Sequence, residues 1–203
     1  MADDQTAPQR RRGRLLEDAL LEAAWLEIKE HGWSDFSMSR TADRAGASKK
    51  SLYARWPDKG ALVAATLFHK SATRARPFEP VGDLREDLRR VMSAAADMLA
   101  GPMGTAVRGL YASLPTLPSE YRLLTDENRP ARAVQDVLDQ ARANGQLGEG
   151  PIPPRVIGLG THLVTMHYLG RDAPPDAVVI EEILDHVWLP SLRAAATEAD
   201  VAR

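Results

Sequence analysis

The sequence contains no cysteine. That excludes a disulfide framework, a thiolate metal site and a cysteine nucleophile together, and it suits a reducing cytoplasm. Long apolar runs are missing as well. No stretch approaches the ~18 uninterrupted apolar residues of a membrane span, so a cytoplasmic protein with no membrane partner is expected. Met1 to Arg14 is charged and has no apolar run, unlike a secretory signal. Aromatic residues make up only 5% of the 203. Nothing alternates with period two for long enough to make a strand. There is no glycine-rich phosphate loop, no Gly-x-Ser-x-Gly and no Cys/His pairing. The histidines are scattered, and Glu182 with His186 supplies at most two ligands, short of a site. No catalytic residue, metal site or cofactor is therefore expected, and the chain reads as a non-enzyme.

Net charge is also small, at −2, which taken alone argues against nucleic acid. Its distribution argues the other way. Residues 9–14 hold four arginines and no acid. Residues 38–59 hold Arg40, Arg44, Lys49, Lys50, Arg55 and Lys59 against Asp43 and Asp58, a local +4. The rest of the chain is acidic on balance, as expected where only one end meets phosphates.

What is abundant is apolar spacing of three and four. Leu16, Leu20, Ala24 and Ile28 form one stripe of a helix over Leu15–His31, which Gly32 stops. Ser37 is placed to cap a short helix ending near Ala45. Gly46 breaks the chain, and Ser48 caps a third helix over Lys49–Trp56. Pro57 ends that one, and Asp58 can cap a fourth running from Lys59 towards Ala72. Longer segments follow at about 83–100, 103–114, 119–144, 154–169 and 176–196, separated by Gly- and Pro-containing turns. The fold class is all-α, about nine helices. It comprises an N-terminal three-helix helix-turn-helix domain and a larger helical domain.

Two short helices joined by a Gly-containing turn form the unit that lays its second helix in a major groove. Leu52 and Trp56 are four apart and must share the buried face. Lys49 and Tyr53 then share the opposite face, with Lys50 beside them. Ser48 and Ser51 lie where hydroxyls and free N–H groups can meet phosphate oxygens. Lys59 adds a charge at the start of the next helix.

Leu20-Leu21-x-Ala23-Ala24-x-x-x-Ile28, Gly32-Trp33, Ser37, Ala42, Ala45-Gly46-Ala47-Ser48, Ser51-Leu52-Tyr53 and Trp56-x-Asp58-Lys59 resemble the N-terminal domain of the tetracycline-repressor (TetR) family over about residues 15–66, without gaps. The resemblance implies base-contacting positions at Lys49, Lys50 and Tyr53. It implies phosphate contacts at Ser37, Ser51, Tyr53 and Lys59. Thr41 replaces the family's usual aliphatic residue and Trp56 its phenylalanine or tyrosine, both at core positions. Lys50 stands where small residues or proline are common.

The second domain resembles the family less specifically. Its last two helices carry more apolar surface than one core needs, from Val156 to Leu169 and from Val178 to Leu192. A helix apolar nearly all round is buried on two sides, and a second copy of the chain is the natural cover. Met98, Met103, Tyr111, Tyr121, His162 and Met166 are candidate effector-lining residues, since methionine flexes and tyrosine and histidine offer polar atoms. The expected organisation is a basic disordered arm over 1–14, a helix-turn-helix DNA-binding domain over 15–60, a connecting helix and linker over 61–80, and an effector-binding and dimerisation domain over 81–198. The expected function is sequence-specific transcriptional regulation as a homodimer on a palindromic double-stranded DNA operator, as a repressor released by a small, mainly apolar effector. The alternative is a helical bundle that binds or transforms a small molecule and no longer meets DNA. The DNA-contacting character of Lys49, Lys50, Tyr53 and Lys59 disfavours it.

Overall fold

The computed structural model describes residues 6–73, 78–113 and 132–197. Among the described residues there are only helices and connections. They are α1 (Thr6–His31), α2 (Met38–Arg44), α3 (Lys49–Tyr53), α4 (Lys59–Thr73), α5 (Leu84–Leu99), α6 (Pro102–Ser113), α7 (Arg132–Ala143), α8 (Pro154–Arg171), α9 (Ala177–Ile183) and α10 (Leu189–Thr197). A π-helical turn, Leu184–Trp188, makes α9 and α10 one continuous helix. No helix among the described residues is long and apolar enough to cross a membrane.

The chain divides into two compact units, Met1–Arg74 with Thr105–Leu124, and Ala75–Gly104 with Thr125–Arg203. In the first, α1 packs on α4 and α2, and α2 on α3. Its core is Leu20, Ala24 and Ile28 of α1, Ala42 of α2, Leu52 of α3, Trp56, and Leu62, Val63 and Leu67 of α4. Helix α1 begins at Thr6, so from there the stretch expected as a disordered arm is helical. Its arginines and glutamine are good helix formers, and Pro8 falls in the first turn, where no intrahelical N–H is lost.

In the second unit α5 packs against α7, α8 and α9, around Leu88, Met92, Val137, Leu138, Val164, Ile180, Leu184 and Trp188. Asp83 caps α5 by accepting from the Glu86 N–H at 2.8 Å. The buried Asp87 accepts from the N–H groups of Val81 and Gly82 at 2.8 and 3.0 Å, tying the incoming chain to the helix it starts. The π turn sets the register of the last helix. Leu189 donates its N–H to the Leu184 carbonyl, five residues back, which aims Trp188 at α8. There the indole N–H donates to the Val156 carbonyl at 3.0 Å. The ring lies on Gly160, where a Cβ would come within 2.0 Å of it. Of the segment expected as a helix over 119–144, residues 132–144 are described, and Arg132–Ala143 of these are helical.

Candidate nucleic-acid interface

The turn between α2 and α3 is fixed by backbone chemistry. Gly46 takes φ +62°, and its N–H bonds the Asp43 carbonyl at 3.1 Å while the Ala47 N–H bonds that of Ala42 at 2.9 Å. These are the two closing bonds of a Schellman end, and the left-handed residue between them favours glycine. Ser48 then starts α3 by accepting from the Ser51 N–H at 3.1 Å. Its hydroxyl also meets the Ser51 hydroxyl at 3.0 Å. Regular α-helix stops at Tyr53, three residues before the expected end. The Trp56 N–H still bonds the Leu52 carbonyl at 3.0 Å, so the helical path carries on to the proline. Asp58 caps α4 by accepting from the Ala61 N–H at 2.9 Å.

On this frame Leu52 and Trp56 are buried, while Lys49, Lys50 and Tyr53 point to solvent, Tyr53 being 47% exposed. Two ammonium groups and a phenol therefore stand on the outer face of a short capped helix. The arrangement offers donors to base edges and phosphates. Ser37 caps α2 by accepting from the Arg40 N–H at 3.3 Å, and a hydroxyl that accepts can still donate its proton. Thr41 is buried at its unusual core position because its hydroxyl donates to the Ser37 carbonyl at 2.9 Å. Lys59 is half-buried, and its Nζ donates to the Trp33 carbonyl at 2.9 Å.

The local charge is smaller than the sequence count suggests. Arg44 forms a two-pronged pair with Glu30 of α1, and Arg40 an ion pair with Glu27. The hydrogen bonds from Arg44 hold the Glu30 carboxyl below its ordinary pKa. Because the folded value is depressed, this stabilisation is present at neutral pH and fades as pH falls through it. What remains outward on α3 is Lys49 and Lys50.

Glu27 was not legible as a functional residue. It is fully buried and accepts from the Ser37 N–H at 3.1 Å and from Arg40 Nε at 2.8 Å. One carboxylate from α1 thus anchors the first turn of α2. The signal was there: Glu27 lies seven residues after Leu20 and three after Ala24, inside the apolar stripe, where a charge needs a partner. Replacing Glu27 with alanine is expected to lower stability by about 1–3 kcal/mol, because it leaves the Ser37 N–H and the Nε of Arg40 without their acceptor. Urea unfolding monitored by circular dichroism checks this, and an unchanged midpoint would show that the carboxylate does not anchor α2.

The candidate effector residues that are described lie on α5, α6 and α8. Met98 is 39% exposed on α5, Met103 is buried, and His162 and Met166 are half-buried one turn apart on α8. Tyr111, half-buried on α6, belongs to the other compact unit. Tyr121 lies outside the described residues.

Comparison with known proteins agrees with the helix-turn-helix geometry. Residues 20–66 match the family described as bacterial regulatory proteins, tetR family. Residues 78–187 match a tetracyclin repressor-like C-terminal domain. The chain belongs to the TetR family of transcriptional regulators. An uncharacterized HTH-type transcriptional regulator of Mycobacterium tuberculosis is 34% identical over 171 residues, 84% of this chain and 86% of that protein. The DNA-binding transcriptional repressor TetR of Mycobacteroides abscessus is 28% identical over 191 residues, covering 91% of this chain and 98% of that one. A solved TetR transcriptional regulator from Agrobacterium tumefaciens shares the fold, with a TM-score of 0.56 at 20% identity over 86% of this chain and 93% of that one. This TetR-family protein is thus a helix-turn-helix DNA-binding regulator.

Proposed function

We propose that this TetR-family regulator is a homodimeric repressor that leaves a palindromic operator when a small, mainly apolar molecule binds in its second unit. The observation that carries the reading is α3 itself, capped by Ser48, anchored by Leu52 and Trp56, and presenting Lys49, Lys50 and Tyr53 outward. In this assignment those three side chains read base edges, while Ser37, Ser48, Ser51 and Lys59 meet phosphates. Two heads must reach half-sites ~34–36 Å apart, so a small pivot of each one ends simultaneous contact. An effector that prefers the pivoted state shifts that equilibrium by its differential affinity, typically ~1–3 kcal/mol.

The dimer reading rests on apolar surface that one chain leaves open. Val178 and Val187 are exposed on the last helix, and Ile157, Leu159 and Leu163 are only half-buried on α8. Selection of duplexes from a randomised pool should yield an inverted repeat, and a single unpaired half-site would refute two-headed binding. Sedimentation should give a dimer, with Leu163→Glu shifting the population towards monomer because a carboxylate without a partner would be buried. Wild-type protein sedimenting at the 22.2 kDa of one chain at micromolar concentration would overturn the dimer.

A further inference from the structure

We propose that Trp33 is a positioning residue for Lys59, holding its ammonium at the start of α4 in readiness for a DNA phosphate. The proposal rests on the DNA-binding reading above and assigns a role to a residue outside the recognition helix. Trp33 follows Gly32 in the turn between α1 and α2, where Gly32 has φ +65°. Its carbonyl accepts from the Phe36 N–H at 3.4 Å and from Lys59 Nζ at 2.9 Å. The same Nζ lies 4.4 Å from the centroid of the Trp33 ring. Backbone and side chain of one residue therefore grip one ammonium, the carbonyl through a hydrogen bond and the indole through its negative face.

This grip leaves the charge usable. An ammonium has three N–H donors, and the carbonyl takes one of them. Lysine is among the side chains with most rotamer freedom to lose. One already confined loses less when it meets a phosphate, which is how preorganisation raises affinity. The ring is itself held in place. Gly109 of α6 lies directly under it, and a Cβ there would come within 2.0 Å of Cδ2 and 2.1 Å of Cγ. Only a glycine at that point of α6 lets the indole lie where it can face Lys59.

The test measures binding of the full-length protein to a duplex selected by the wild type and to a random-sequence duplex, over a range of salt. Lys59→Ala should reduce the slope of log K against log salt by about 0.9 for each bound head, about 1.8 for a dimer on its operator. Trp33→Leu should weaken binding to both duplexes by the same factor, about two- to tenfold, leaving their ratio unchanged. Trp33→Phe, which keeps an aromatic face, should restore most of that loss. In the Lys59→Ala background, Trp33→Leu should cost almost nothing more. Gly109→Ala should behave like Trp33→Leu, and it serves in its place if the leucine variant melts below the assay temperature. An equal loss from the Trp33 change with and without Lys59 would overturn the proposal, as would an unchanged salt slope in Lys59→Ala. Wild-type protein that binds neither duplex would instead overturn the DNA-binding reading, before any variant is compared.

Discussion

Lys49→Ala combined with Tyr53→Ala is expected to weaken binding to a selected operator by about 2–6 kcal/mol for each bound head, on the basis of ~1–3 kcal/mol for each side chain that reaches a base edge. That is roughly thirtyfold to more than ten-thousandfold in affinity. The expectation follows from placement. Both side chains are exposed on the face of α3 opposite Leu52 and Trp56, so removing them leaves the packed face and the Ser48 cap untouched. Melting temperature should therefore stay near that of the wild type, since surface substitutions away from packed features rarely exceed ±0.5 kcal/mol. Binding to random-sequence DNA should fall much less than binding to the operator, because base contacts carry the discrimination while phosphate contacts supply the background. Titrations of both duplexes at one salt concentration measure the two losses. A double variant that keeps full affinity for the operator would mean that α3 does not read it.

Trp188→Ala is expected to lower stability by about 3–5 kcal/mol, the usual cost of truncating a large buried aromatic side chain. Trp188 is fully buried, its N–H is bonded to Val156, and its ring fills the space that Gly160 leaves empty. No neighbour can collapse into the void easily, because the π turn and the α8 backbone both define it. A chain of this size should then melt about 6–20 °C lower, at 2–4 °C per kcal/mol. Guanidinium unfolding would give the free energy directly. A loss below about 1 kcal/mol would mean that the indole does not hold the last helix to α8.

Much of the first unit was legible in the sequence because its determinants are local. Ser37, Gly46, Ser48 and Asp58 each act within a few residues of themselves, through a cap or a left-handed turn, so their positions alone mark the helix ends. The outward face of α3 followed from the four-residue spacing of Leu52 and Trp56. What was not legible depends on partners far along the chain. Arg40 and Arg44 counted as surface charge until their carboxylates, 13 and 14 residues earlier, were seen beside them. The π turn was not legible either, and the Trp188 within it is held by Val156 and Gly160, about 30 residues earlier. Side-chain type marks Met98, Met103 and Tyr111 as pocket candidates, and type does not say which helices converge.

The two partners of the Glu27–Arg40 pair are not equally replaceable. The carboxylate is fully buried, whereas the guanidinium side chain is 49% exposed. If a lineage loses Glu27 to an apolar residue first, Arg40 can turn to water. If Arg40 goes first, a carboxyl group is left in the core with only the Ser37 N–H and the half-exposed His31 ring, 3.8 Å away, beside it. Substitution at these two sites therefore has a preferred order, carboxylate before guanidinium. Descendants that carry arginine without the acid should outnumber those that carry the acid without arginine.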